Sequence, residues 1–173
     1  MRENAFAAAR GRLVPLGLAF LLAAALIALP ARAGLASELS DTVRSAKRGN
    51  PSAQYKLGVM YDNGYGVRQN HAEAAKWYYR AAMQGHPSAQ YNLAVSYDIG
   101  EGCPIDHQEA AYWYLKAANQ GHPNAMFNLA VSYIKGTGVR QNTREGIKWF
   151  RRAARKGHKK AREMLYEIGD YDD

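Results

Sequence analysis

The chain has 173 residues, 23 Lys plus Arg against 15 Asp plus Glu, a formal charge of +8 and a single cysteine. One thiol excludes an internal disulfide framework, so stability has to come from packing. About 140 residues remain beyond the N-terminal leader described next, enough for one domain with a continuous core.

Residues 1–33 read as a targeting segment. Arg2, Arg10 and Arg12 precede an apolar run from Leu13 to Leu29, and Ala31-Arg32-Ala33 offers the small residues of a cleavage site. No cysteine stands at that point, which argues against a lipoprotein anchor. The run is long enough, at the lower limit of about 17 residues, for an uncleaved membrane anchor to be the alternative. Either way the arginines stay cytoplasmic and the rest of the chain is exported. In a Gram-negative cell the destination is the periplasm.

A 36-residue pattern then recurs three times, over 49–84, 85–120 and 121–156. Each copy carries Gly-x-Pro-x-Ala (Gly49, Pro51, Ala53), Leu-x-Val-x-Tyr (Leu57, Val59, Tyr61), Gly-x-Gly (Gly64, Gly66), a Trp and a closing Ala-Ala pair (Trp77, Ala81, Ala82). A fixed period of this length means one supersecondary unit stacked on itself. The first half predicts a helix opened by Pro51, Pro87 or Pro123, whose missing N–H costs nothing at the first position. The Gly-x-Gly is the turn, because glycine is disfavoured by about 1 kcal/mol inside a helix. The second half predicts a helix capped by Asn70, Asp106 or Asn142, with Glu73, Glu109 or Glu145 three residues on, as in a capping box. The next repeat's glycine ends it in a left-handed cap.

In the same frame, residues 34–48 form an N-terminal capping helix, with Asp41 where the full repeats have Trp and a narrow stripe of Leu39, Thr42, Val43 and Ala46. Residues 157–173 form a C-terminal capping helix and tail, with Ala161 and Leu165 holding the frame. End units with a polar outer face are what a solenoid requires. The predicted fold is all-α: an α/α superhelix of three helix–turn–helix repeats with a half repeat at each end.

These residues resemble the Sel-one-like repeat (SLR) family, a relative of the tetratricopeptide repeat. The resemblance is carried by Ala53, Tyr55, Leu57, Gly58, Met60, Tyr61, Asn63-Gly64-x-Gly66-Val67 and Glu73-Ala74-x-x-Trp77-Tyr78-x-x-Ala81-Ala82, and it recurs in the next two repeats. It implies a binding scaffold rather than an enzyme. Carried over from the tetratricopeptide fold, it also implies a concave groove lined by the first helices. Its partner-binding residues would be Tyr55, Val59, Asp62, Tyr91, Val95, Asp98, Phe127 and Val131, suited to another envelope protein or a peptide with apolar anchors and some positive charge. The alternative is that Tyr55, Tyr91 and Phe127 pack between neighbouring first helices.

Charge gathers late. Arg144, Lys148, Arg151, Arg152 and Arg155 form a basic patch able to attract an anionic surface or cell-wall polymer; an exported chain does not meet nucleic acid. The plainer reading is a solvated end of the solenoid. His86, His122 and His158 recur just before the helix-starting proline or lysine and read as caps, since helices 8–10 Å apart do not bring them to one ion. His71 and His107 read as first-turn surface residues. No metal-ligand spacing, cofactor motif or catalytic grouping stands out. Some cysteine-rich members of the family are associated with β-lactams, and Ser132-x-x-Lys135 has the spacing of penicillin-recognising enzymes. Its Ser-Asp-Asn and Lys-Thr-Gly partners and the paired cysteines are missing. Cys103 takes the position of Val67 and Val139 and reads as a small apolar filler.

Overall fold

A computed structural model describes residues 37–169. The leader at 1–33 and the tail beyond 169 lie outside the described residues. Eight helices and no strand are present among those described. They are α1 (residues 37–47), α2 (Pro51–Asn63), α3 (His71–Met83), α4 (Pro87–Ile99), α5 (His107–Asn119), α6 (Pro123–Lys135), α7 (Thr143–Arg155) and α8 (Lys159–Glu167). Each packs on its neighbours in chain order, which makes an α-solenoid of three two-helix repeats between α1 and α8.

The helix ends follow from the residues at them. Pro51, Pro87 and Pro123 open the first helices, and Gly64, Gly100 and Gly136, at φ +72 to +77°, close them. The second helices start on Asn70, Asp106 and Asn142, whose side chains accept from the N–H groups of Glu73, Glu109 and Glu145 at 3.0–3.1 Å. The return half of the expected capping box is not what holds the cap residue. Its own N–H instead donates back across the turn, Asn70 to the Tyr61 carbonyl (2.8 Å), Asp106 to Tyr97 (2.9 Å) and Asn142 to Tyr133 (2.8 Å). The freed glutamates serve elsewhere: Glu73 pairs with Lys76, Glu145 with Lys148, and Glu109 accepts from the Trp113 indole N–H at 3.0 Å.

The core is a line of alanines on which aromatic rings sit. Ala81, Ala89, Ala117, Ala125, Ala153 and Ala161 are sealed from solvent, and Tyr78, Tyr114 and Phe150 are the largest fully buried side chains. Small residues let the helix axes approach, and the rings then supply most of the buried apolar area. Two polar pairs cross the junctions at the edge of this core. Gln84 donates to Gln54 at 2.7 Å and Gln54 in turn to the Ala46 carbonyl; Gln120, Gln90 and the Ala82 carbonyl repeat the arrangement. The buried Gln54 and Gln90 are thus matched by an exposed glutamine on one side and a carbonyl on the other, which offsets the cost of burying their amides and fixes the register of the junction.

The third repeat departs from the other two as a set. Tyr78 and Tyr114 donate to Asp62 and Asp98 and accept from Asn92 and Asn128 of the following repeat. In the third, Phe150, Ile134 and Met164 stand at the corresponding places. The glutamine pair is likewise replaced, by Met126 and Lys156. Ile134 needs room, and Gly146, where the other repeats have Ala74 and Ala110, gives it: a Cβ at Gly146 would lie 2.6 Å from Ile134 Cγ1 and 2.9 Å from the Ala130 carbonyl oxygen. Alanine in place of a helical glycine ordinarily stabilises by about 1 kcal/mol. Here Gly146→Ala is expected to lower the denaturant midpoint, and adding Ile134→Ala is expected to recover part of the loss relative to Ile134→Ala alone.

Candidate functional site

The first helices carry the residues that the resemblance assigned to a groove, and the fold gives their side chains definite surroundings. Tyr55 packs on Tyr78 (centroids 6.0 Å), Tyr91 on Tyr114 (6.1 Å) and Phe127 on Phe150 (5.2 Å). Their other contact is with the next repeat's cap histidine: Tyr55 stacks on His86 at 4.7 Å, Tyr91 on His122 and Phe127 on His158, both at 4.6 Å. The aromatics are therefore half-buried members of the repeat junctions, closer to the packing alternative than to free anchors. Val59, Val95 and Val131 are also half-buried against the core.

The histidines are helix caps, as expected. Nδ1 accepts from the N–H of Ala89, Ala125 and Ala161 at 3.3, 3.3 and 3.1 Å, the place that Asn50 fills for Ala53 at 2.9 Å in the first repeat. Only a neutral ring can accept in this way. Burial pushes all three below the ordinary histidine value, with a backbone hydrogen bond opposing it at His86 and Lys160 reinforcing it at His158.

Asp62 and Asp98 are not the free acidic edge expected of them. Asp62 Oδ1 contacts His71 Nδ1 at 2.8 Å and Oδ2 accepts from the Tyr78 hydroxyl at 3.1 Å; Asp98 contacts His107 (3.0 Å) and Tyr114 (3.3 Å) in the same way. Burial, with the carboxylate charge second, raises the pKa of Tyr78 and of Tyr114 well above the usual phenol range. His71 and His107 are first-turn residues at the surface, as expected, and each also contacts the aspartate of its own repeat. Their spacing from Asp62 and Asp98 is nine positions, across the turn, so no helical periodicity announces the contact.

Open hollows flank this framework. Between the second and third repeats lies a cleft of about 270 Å³ lined by Asp98, His107, Asn128, Val131, Ser132, Lys135 and Thr137. It gathers two of the assigned groove residues, Asp98 and Val131, with polar side chains that the sequence reading had not placed in a groove. Ser132 is buried on α6 and Lys135 exposed, and none of the other residues of a β-lactam site accompanies them. On the side of the second helices, a hollow of about 410 Å³ is formed by Ala72, Ala75, Tyr79, Leu93, Tyr97 and Cys103 among others. Burial raises the Cys103 thiol pKa, in keeping with an apolar filler.

The basic patch is partly committed. Lys148 pairs with Glu145 at 2.9 Å, Arg152 lies over the Trp149 ring at 4.4 Å and Arg151 is half-buried, while Arg144 and Arg155 are exposed. No helix among the described residues is long and apolar enough to cross a membrane.

The Sel1 repeat family model matches residues 51–86, 87–122 and 123–158. The chain belongs to the Sel1 repeat family. Solved structures agree. A Sel1 repeat protein from Oxalobacter formigenes is 37% identical over 75% of this chain and 98% of its own, with a TM-score of 0.70. The protective antigen c5321 of uropathogenic Escherichia coli, which displays an SLR fold, is 35% identical over 74% of this chain but 28% of its own length, also at 0.70. Helicobacter pylori cysteine rich protein B, 19% identical over 74% of this chain and 95% of its own, shares the fold at 0.61. Among curated proteins none matches the chain significantly. Sel1 repeat proteins are generally protein-interaction scaffolds and typically non-catalytic.

Proposed function

We propose that this Sel1 repeat chain is an exported, non-enzymatic adaptor of the cell envelope that holds a peptide segment of another protein along the face of α2, α4 and α6. The observation that carries this reading is the 270 Å³ cleft between the second and third repeats, where Val131 meets Asn128, Ser132, Thr137 and Lys135. One apolar side chain, Val131, beside several donors and acceptors suits an extended backbone, which needs its own N–H and C=O groups matched as a side chain is buried. Because Asp98 is already held by His107 and Tyr114, the charge offered to a ligand comes from Lys135, and the preferred peptide carries acidic or carbonyl oxygens there. Export rests on the leader pattern of residues 1–33.

A photo-crosslinking residue placed at exposed Asn124 or Lys135 is expected to capture the envelope partner in native membranes or periplasm. The same residue at exposed Tyr112, on α5, is expected not to. Capture from Tyr112 alone would move the binding face to the second helices. Capture lost when Arg144 and Arg155 become Glu, with the α6 positions silent, would favour an anionic polymer held by the basic end.

A further inference from the structure

The His71 ring has a carboxylate at each of its two nitrogens. Nδ1 lies 2.8 Å from Asp62 Oδ1, and Nε2 lies 3.2 Å from Glu101 Oε1, an oxygen that arrives from the turn of the next repeat. The three residues come from α2, the first turn of α3 and the turn after α4, so only the stacking of two repeats assembles them. A neutral imidazole has one N–H to give. With Nδ1–H directed at the closer carboxylate, Nε2 and the Glu101 oxygen face each other across 3.2 Å, a gap that either a second ring proton or a metal cation fills.

We propose that His71 Nε2 and the Glu101 carboxylate bind a zinc-type divalent ion at the junction of the first and second repeats. Asp62 acts as the positioning residue that holds Nδ1–H. The separation fits. Two ligands about 2.0–2.2 Å from a tetrahedral ion are themselves about 3.4 Å apart, close to the 3.2 Å found. One ligand atom from each of Asp62, His71 and Glu101 lies within 4.8 Å of the others. The arrangement is that of a metal-bound histidine oriented through its other nitrogen by a carboxylate, here with the Tyr78 hydroxyl steadying that carboxylate from behind at 3.1 Å. Mixed nitrogen and oxygen donors select zinc, copper or nickel over magnesium, which prefers oxygen alone. Water completes the coordination sphere, because His71 and Glu101 are both partly exposed.

The repeats contain their own controls. In the second, Asp98 and His107 are paired as in the first, but Thr137 stands where Glu101 would be needed; in the third, Ile134 and Thr143 replace both members of the pair. The site is therefore a property of one junction and not of the repeat.

Zinc titrated calorimetrically into the full chain, after dialysis against chelator, is expected to show one saturable equivalent and to raise the thermal midpoint. Glu101→Gln is expected to weaken binding at least tenfold, Asp62→Asn by 10–100-fold, and His71→Ala to abolish it, while His107→Ala leaves it unchanged and magnesium fails to compete. Glu101 lies on an exposed turn, so Glu101→Gln decides the matter even where His71→Ala folds poorly. Absence of a saturable equivalent, or zinc affinity unchanged in Glu101→Gln, would overturn the proposal.

Discussion

Gly138→Ala is expected to destabilise the domain by at least about 2 kcal/mol, read as a lower urea midpoint with an unchanged slope. Two terms add. At φ +71° any L-residue is strained, and the new Cβ would collide with the His107 carbonyl oxygen while lying 3.0 Å from the Gln108 nitrogen. Those are backbone atoms at the start of α5, so relief requires the third repeat's turn to lift away from the second repeat. Gly102 sits in the same relation to His71 and Ala72 one repeat earlier. Gly157→Ala isolates the strain alone: φ is +88° but nothing lies within 4 Å of the added atom, and about 1–2 kcal/mol is expected. Equal losses at Gly138 and Gly157 would show that the turn does not press on the preceding helix.

Replacing His86, His122 and His158 together by alanine is expected to remove about 3 kcal/mol, at roughly 1 kcal/mol per cap, before the lost stacking on Tyr55, Tyr91 and Phe127 is added. The same side chains make stability depend on pH. Their folded-state pKa lies below the ordinary 6.5, because burial and the acceptor role favour the neutral ring. On acidification the unfolded chain takes up these protons first. The caps thus contribute fully above about pH 6.5, and their contribution declines as the pH falls through that value. Asparagine at all three sites, copying Asn50, keeps an acceptor that does not titrate. The triple Asn variant is expected to lose less stability than the wild type between pH 7.5 and 5, measured by urea unfolding at each pH. A wild-type slope matched by the Asn variant would remove the histidines from the account.

Helix order, helix ends and the cap histidines were legible because each is written in residues a few positions apart. Pro51, Gly64, Asn70 and Gly85 mark their own places. Side chains joined at longer range were not legible. Gln54 and Gln84 are 30 positions apart, Asp62 and Tyr78 are 16 apart, and nothing local distinguishes a buried glutamine from a solvated one. Glu101 meets His71 only because successive turns overlie one another. One signal was present: wherever the aspartate becomes isoleucine, the tyrosine becomes phenylalanine and the histidine threonine. The groove aromatics illustrate the opposite difficulty. Their spacing is equally consistent with an open face and a packed one, and it took the stacked imidazole rings to show that Tyr55, Tyr91 and Phe127 are largely occupied.

The wholesale exchange in the third repeat bears on how such arrays are engineered. A consensus taken column by column over these three repeats would vote at each position independently and keep Asp, His, Tyr and Ala. That choice is internally coherent, yet a minority residue admitted at any one column would strand its partners: isoleucine against an alanine methyl, or a tyrosine hydroxyl facing methionine. Averaging is safe here only if linked columns are inherited as a block, so the natural unit of design in this fold is the network rather than the position.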